Sequence, residues 1–185
     1  MNGKRDESRL RKRLLNLLRH QFKGVGVVEN ANLLYKVIVQ EQSKVSLKFS
    51  PNTPNDPVRG QYAFQTDLAL VNSRSRIPLV VIELKSQHLS THDILTYSTK
   101  AMRHKEIYPY IRYGLVVGGM GEISKKFFTH NMGFDFAFAL KNHSDINMRK
   151  LEKVLKLQLR TARKLLGIFA HKRKITEFNQ IARFK

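Results

Sequence analysis

The stretch Ile77 to Lys85, IPLVVIELK, constrains this chain most. Its apolar residues fall on consecutive positions rather than alternating ones. A strand of that kind is covered on both faces, as in the middle of a sheet. Pro78 stands near its start, where a missing N–H is tolerated. Arg112 to Val117, RYGLVV, has the same buried character. Between the two, Ser90 to Glu106 is predicted to be helical, with Ser90, Thr91 and Asp93 as candidate caps. Strand, helix and buried strand together specify a mixed α/β sheet flanked by helices.

The remaining segments fit around that centre. Leucines 10, 14, 17 and 18 with Phe22 recur at helical spacing and predict a helix from Arg5 to Phe22. Lys23 to Gly26 supplies breakers. Leu33 to Glu41, Val45 to Ser50 and Gln61 to Val71 are predicted strands, with a proline-rich loop from Pro51 to Gly60. Phe134 to Leu140 is a late strand, and Asn147 to Ala170 a long helix with a leucine-rich stripe. The expected division is a domain over 1–145, with a basic helical extension over 146–185 packed on it.

Composition narrows the chemistry. The 185 residues contain no cysteine, which removes disulfides, thiolate metal sites and cysteine nucleophiles. The histidines are scattered, with no zinc-like spacing. Lys plus Arg number 34 against 14 Asp plus Glu, a net charge of +20. A balance of that kind points to a polyanion, with nucleic acid first and an anionic membrane surface second. Both ends are basic. Met1 to Lys23 has eight basic and two acidic residues, and Asp145 to Lys185 has twelve and three. No apolar run nears the ~18–20 residues of a membrane helix, and no secretory signal is visible. A cytoplasmic location without membrane contact is expected.

In so basic a chain, acids kept beside apolar strands stand out. Glu83 and Lys85 are two residues apart on one strand, so both point to one face. An antiparallel register centred on a turn at Ser75 places Asp67 opposite Glu83, with cross-strand Cβ atoms about 4.5–5.5 Å apart. Two neighbouring carboxylates repel unless compensated. Mg²⁺ or Mn²⁺ would compensate them, because such ions take one or two carboxylates plus water and a substrate phosphate. Asp67 and Glu83 are therefore the candidate metal ligands, and Lys85 the group that positions or activates water. That is the equipment of a phosphodiester hydrolase. Tyr97, on the following helix, can face the site. Arg59, Arg74, Arg76, Lys125 and Lys126 are candidate nucleic-acid backbone contacts. Gly118 to Gly121 lacks the spacing of a dinucleotide fingerprint.

The segment Thr66 to Gln87, TDLALVNSRSRIPLVVIELKSQ, resembles the core motif of the PD-(D/E)XK nuclease superfamily, with Thr66 in place of the motif's proline. The specific likeness covers Thr66 to Lys85, and the order of elements is similar from Arg5 to Leu140. The resemblance implies a restriction-endonuclease-like αβββαβ core. It also implies Asp67 and Glu83 as metal ligands, Lys85 as the catalytic lysine, a further acid on the first helix or an early strand for which Glu7, Glu29 and Glu41 are the candidates, and products with 5′-phosphate ends. IPLVVIELK is also similar to the nuclease domains of type I restriction motor subunits, which share a Gln-x-x-x-Tyr motif with RecB-like exonucleases. Here the matching stretch is Asp93 to Tyr97, with Asp93 where the glutamine would be. No Walker-type loop is present, so no translocase motor is encoded.

The expected function is DNA phosphodiester hydrolysis, with RNA as an open alternative substrate and a homodimer or larger nuclease assembly as a plausible working form. A non-catalytic nucleic-acid-binding module on the same fold is the competing expectation. A basic structural or ribonucleoprotein component is the third.

Overall fold

The computed structural model describes residues 2–19, 21–42, 46–50, 57–60, 62–142, 145–172, 174 and 176. Its elements follow in the order α1 (Asn2–Leu18), β1 (Val25–Glu29), β2 (Asn32–Leu34), β3 (Ile38–Gln42), β4 (Ser46–Ser50), β5 (Ala63–Gln65), β6 (Leu68–Asn72), β7 (Pro78–Ser86), α2 (Thr91–Ile107), β8 (Arg112–Gly118), α3 (Lys125–His130), β9 (Phe136–Leu140) and α4 (Asp145–Phe169). Five strands form one sheet in the order β1-β6-β7-β8-β9. The pairs β1–β6 and β6–β7 are antiparallel, whereas β7–β8 and β8–β9 are parallel. The protein is thus α/β, a five-stranded mixed sheet with helices on both faces.

The apolar run of β7 lies at the centre of this sheet, as its composition demands. Leu79 to Ile82 and Leu84 are fully buried. Val80, Ile82 and Leu84 face a core closed by α1 and α4, through Leu10, Leu14, Leu18, Leu151, Leu155 and Leu159. Val81 faces the opposite core, closed by α2 and α3 through Ile94, Ala101 and Phe127. The long last helix is therefore packed into the main core. Among the described residues, no helix is long and apolar enough to cross a membrane.

Four stretches differ from the sequence expectation, the first being Leu33 to Glu41, which is not one strand but β2, paired with β5, and β3, paired with β4. Lys23 to Gly26, read as breakers, leads directly into β1, which pairs with β6 along five residues. α3 was not anticipated, because six residues are too few to display a helical period. Gln61 to Val71 is not one strand. It splits into β5, paired with β2 in a separate small sheet, and β6 in the main sheet. The split occurs at Thr66, whose N–H and hydroxyl both donate to the Ala31 carbonyl at 2.9 and 3.0 Å. Asp67 therefore sits in a bend between two sheets rather than within a ladder. Smaller differences are at helix ends: α1 closes at Leu18, not Phe22, and α4 opens at Asp145.

Gly114 has a packing reason. It pairs with Phe136 across β8 and β9, and a Cβ built there would stand 2.1–2.3 Å from the Phe136 ring. Gly114→Ala is therefore expected to lower stability by about 1–3 kcal/mol through overpacking, read as a drop in urea midpoint. An unchanged midpoint would show that the ring moves aside freely.

Candidate active site

The site is assembled where β7 ends and α2 begins. The register Leu68↔Ile82, Ala69↔Val81, Leu70↔Val80 is the one centred on Ser75, so its extension by one residue sets Asp67 across from Glu83. Between Leu70 and the turn a bulge shifts the pairing to Val71↔Pro78, and the extra residue it leaves on β7 is what brings Glu83, rather than Ile82, across from Asp67. Asp67 is fixed by the strand itself: its Oδ2 accepts the Leu84 N–H at 2.8 Å, and its carbonyl accepts the Asn30 N–H at 3.0 Å.

Glu83 is 1% exposed, unusual for a carboxylate. Its Oε1 accepts the Tyr113 hydroxyl at 2.6 Å and the Lys100 ammonium at 2.7 Å. Burial pushes the Glu83 carboxyl above its ordinary value and Asp67 adds to the rise, while Lys100 and the Tyr113 hydrogen bond oppose it. Tyr113 in turn is driven well above 10, by burial first and by Glu83 next, so it stays a hydroxyl donor at any physiological pH. Lys100 also donates to the Gln65 carbonyl at 2.8 Å, which ties α2 to β5.

Lys85 lies on the same face of β7 as Glu83, since both reach α2. Its ammonium is 2.8 Å from Asp93 Oδ1. The other oxygen of Asp93 closes a capping box, accepting the Ser90 N–H at 2.9 Å and the Ser90 hydroxyl at 2.6 Å, while Ser90 Oγ accepts the Asp93 N–H at 3.1 Å. Partial burial works against the Asp93 charge, yet the Lys85 and Ser90 hydrogen bonds prevail and hold its carboxyl down at about 2. One residue thus starts α2 and anchors Lys85.

A third cation joins the remaining acids. Arg11, on the inner side of α1, lies 3.3 Å from Asp67, 3.7 Å from Glu29 and 4.0 Å from Glu7. The Glu7 carboxyl is pushed up by burial first and by Asp67 next, while Lys85 and Arg11 pull it down, so Glu7 stands within the field of both motif residues. Glu29, at the end of β1, is the more exposed of the two. Glu41 lies in β3, paired with Leu47, and its side chain is outside the described residues. Tyr97 faces the cluster: burial raises its hydroxyl first, then Glu83, Asp67, Glu7 and Asp93. The Lys100 ammonium lies 5.6 Å from its ring centroid.

The basic residues named from the sequence are dispersed. Arg59 donates to the Gln65 side chain at 3.3 Å and lines a cleft of about 680 Å³ that it shares with Lys100, next to the site. Arg74 and Arg76 lie in the turn beyond Asn72, at the end of β6 remote from Asp67. Lys125 and Lys126 are exposed in the first turn of α3. The structure brings none of these last four to the carboxylates.

Arg11, Lys100 and Tyr113 were not singled out in the sequence. Lys100 had a signal: residues 93, 97 and 100 recur at helical spacing, so the residues that hold Lys85, face the site and hold Glu83 share one face of α2. Tyr113 had none, because the register of the parallel β7–β8 pair, Val81↔Tyr113, is set by tertiary structure.

Two carboxylates that share a field and offer only oxygen donors suit a hard dication. Among the described residues, no group of three or more potential ligands forms a ready-made cage. Mg²⁺ requires none, since it keeps several waters and uses one or two carboxylates with a substrate phosphate. The oxygen-only donor set fits such an ion, which Asp67 and Glu83 would hold. Comparison with protein-family models finds none that matches the chain, and comparison with curated proteins finds no match.

Proposed function

We propose that this protein is a divalent-cation-dependent nuclease of the PD-(D/E)XK type, hydrolysing phosphodiester bonds in DNA. The observation that carries the reading is the gathering of Asp67, Glu83 and Lys85 at one end of a central strand. Each is held by a separate hydrogen bond or ion pair. The restriction-endonuclease-like identity of the fold belongs to this proposal and is supported by the αβββαβ order within the mixed sheet.

A bound Mg²⁺ would neutralise the scissile phosphate and make its water easier to deprotonate. The protein's own residues supply orientation. The Leu84 N–H fixes one oxygen of Asp67, and Tyr113 and Lys100 converge on one oxygen of Glu83, so both carboxylates are oriented in advance, with Arg11 yielding the other oxygen of Asp67 to an ion. Lys85, released from or sharing Asp93, positions the attacking water and offsets charge developing on the phosphate oxygens. Water adds to phosphorus, the P–O3′ bond breaks, and the proton passes to the departing 3′ oxygen. The 5′-phosphate end remains. RNA in place of DNA, and a homodimer or larger assembly for double-strand cutting, stand as extensions of the same proposal.

One observation favours the non-catalytic alternative. Arg11, Lys85 and Lys100 already give Asp67, Asp93 and Glu83 one counter-charge each, so these three acids are paired without a metal ion. Supercoiled plasmid with purified protein in Mg²⁺, Mn²⁺ or EDTA separates the two. Cleavage with either metal, absent in EDTA, supports the nuclease. Plasmid bound but left intact in both metals leaves a binding module.

A further inference from the structure

Charge is segregated along the sheet. Five of the fourteen acids, Glu7, Glu29, Asp67, Glu83 and Asp93, stand at one end. The other end is cationic. β6 runs from Leu68, beside Asp67, to Asn72, and the turn beyond carries exposed Arg74 and Arg76. Asn72 pairs with Val25, so the segment joining α1 to β1, with exposed Lys23, reaches the same end. α4 arrives there as well. Its Arg160, Arg163 and Lys164 line a groove of about 450 Å³ together with Phe22, Lys23 and Lys156, the last of which is paired with Glu152 and is not counted with the others. Arg163 donates to the Lys23 carbonyl at 3.3 Å, tying the helix to that segment.

All six cations are exposed, and among the described residues none of them forms an ion pair with a carboxylate. Like charges at this density repel one another and raise the local potential, which draws in a polyanion. The cleavage centre does not account for them, because it lies at the opposite end of β6.

We infer that this groove is a second nucleic-acid backbone site, gripping phosphates of the duplex remote from the bond that is cut. The inference deepens the nuclease reading and rests on it for the identity of the polyanion. α1 sets the spacing. From Glu7 to Leu18 the helix rises roughly 17 Å at 1.5 Å per residue, so groove and carboxylates are about 20 Å apart. That is about six steps at 3.4 Å per nucleotide. Arg9, Lys12 and Arg13, exposed along α1, bridge the interval. A substrate shorter than about six base pairs beyond the cut bond cannot reach both ends.

The test is the triple variant Lys23→Ala, Arg160→Ala, Lys164→Ala, assayed by fluorescence anisotropy in EDTA with a five-base-pair hairpin and a 30-base-pair duplex. A melting curve superimposed on the parent's certifies its fold. With the 30-mer, affinity at 0.1 M salt is expected to fall roughly 10- to 100-fold. The slope of log K against log salt should shrink by about 2.7 for three lost phosphate contacts. The hairpin, short enough to seat in the groove alone, should lose affinity in the variant as well. An unchanged 30-mer affinity and slope overturn the inference. So does a variant that loses binding to phosphatidylserine vesicles while keeping duplex affinity, which assigns the groove to membrane. Because binding is read without metal, the two readings fail separately. A wild type that never cuts removes the nuclease and leaves the groove. A wild type that cuts while the variant binds equally well removes the groove and leaves the nuclease.

Discussion

Lys85→Ala is expected to reduce Mg²⁺-dependent cleavage by at least a hundredfold while leaving duplex affinity within about threefold, because a positioned acid–base or charge-stabilising group contributes about 10²–10⁴ in rate. The split follows from the charge distribution. Lys85 is one of 34 basic residues, so its loss removes little of the electrostatic attraction to the backbone. It is, however, the lysine that lies on the same face of β7 as Glu83, with its ammonium 2.8 Å from Asp93. Single-turnover cleavage of a labelled duplex with anisotropy on the same oligonucleotide checks both halves. Asp67→Ala should match the rate loss. It should also abolish the heat of Mg²⁺ binding in calorimetry, which Lys85→Ala should retain. Wild-type cutting by Lys85→Ala would remove the lysine from the mechanism. Loss of binding with unchanged cutting per bound complex would make it a backbone contact instead.

How much of this was legible beforehand depends on the kind of contact. The centre of the sheet was readable because IPLVVIELK can be satisfied only by cover on both faces. The Asp67–Glu83 register follows from a turn centred on Ser75, but the strands leave the turn as Val71↔Pro78 and only a bulge restores that register from Leu70↔Val80 on, so its cause was not legible in the sequence. The start of α2 was readable because Ser90 and Asp93 carry the local chemistry of a capping box. β1 was not. Gly24 and Gly26 read as breakers, and only pairing with β6 makes Val25 to Glu29 a strand. The break at Thr66 was equally hidden, because the Ala31 carbonyl that stops the strand lies 35 residues away in sequence. The partners of the acids fall in the same class. Arg11 on Asp67, Tyr113 on Glu83 and Lys100 on Glu83 are tertiary contacts, so the sequence marked which acids were unusual but not what sustains them.

Lys100→Met tests that last point, and its effect should depend on pH. Lys100 is the principal counter-charge of a nearly buried carboxylate, at 2.7 Å. Removing one partner of such a pair costs about 3–5 kcal/mol when the remaining charge has nowhere to go. Glu83 does have a recourse, because it can take up a proton. Its folded-state pKa already lies above the ordinary 4.5, so protonation favours the fold and ionisation opposes it. Without Lys100 the folded value rises further. Below the unfolded value of 4.5 the carboxyl is neutral in both states and the variant should approach wild-type stability. As pH climbs through the raised folded value, the buried charge forms without its counter-ion and stability is lost. Urea unfolding should therefore show a small deficit at pH 5 and about 3–5 kcal/mol at pH 8. The same proton competes with a cation for Glu83, so the acidic limb of the cleavage profile should move to higher pH. Lys100→Arg should restore much of both. A stability deficit equal at the two pH values, with an unmoved acidic limb, would mean that Lys100 contributes packing alone and that Tyr113 by itself sustains the Glu83 charge.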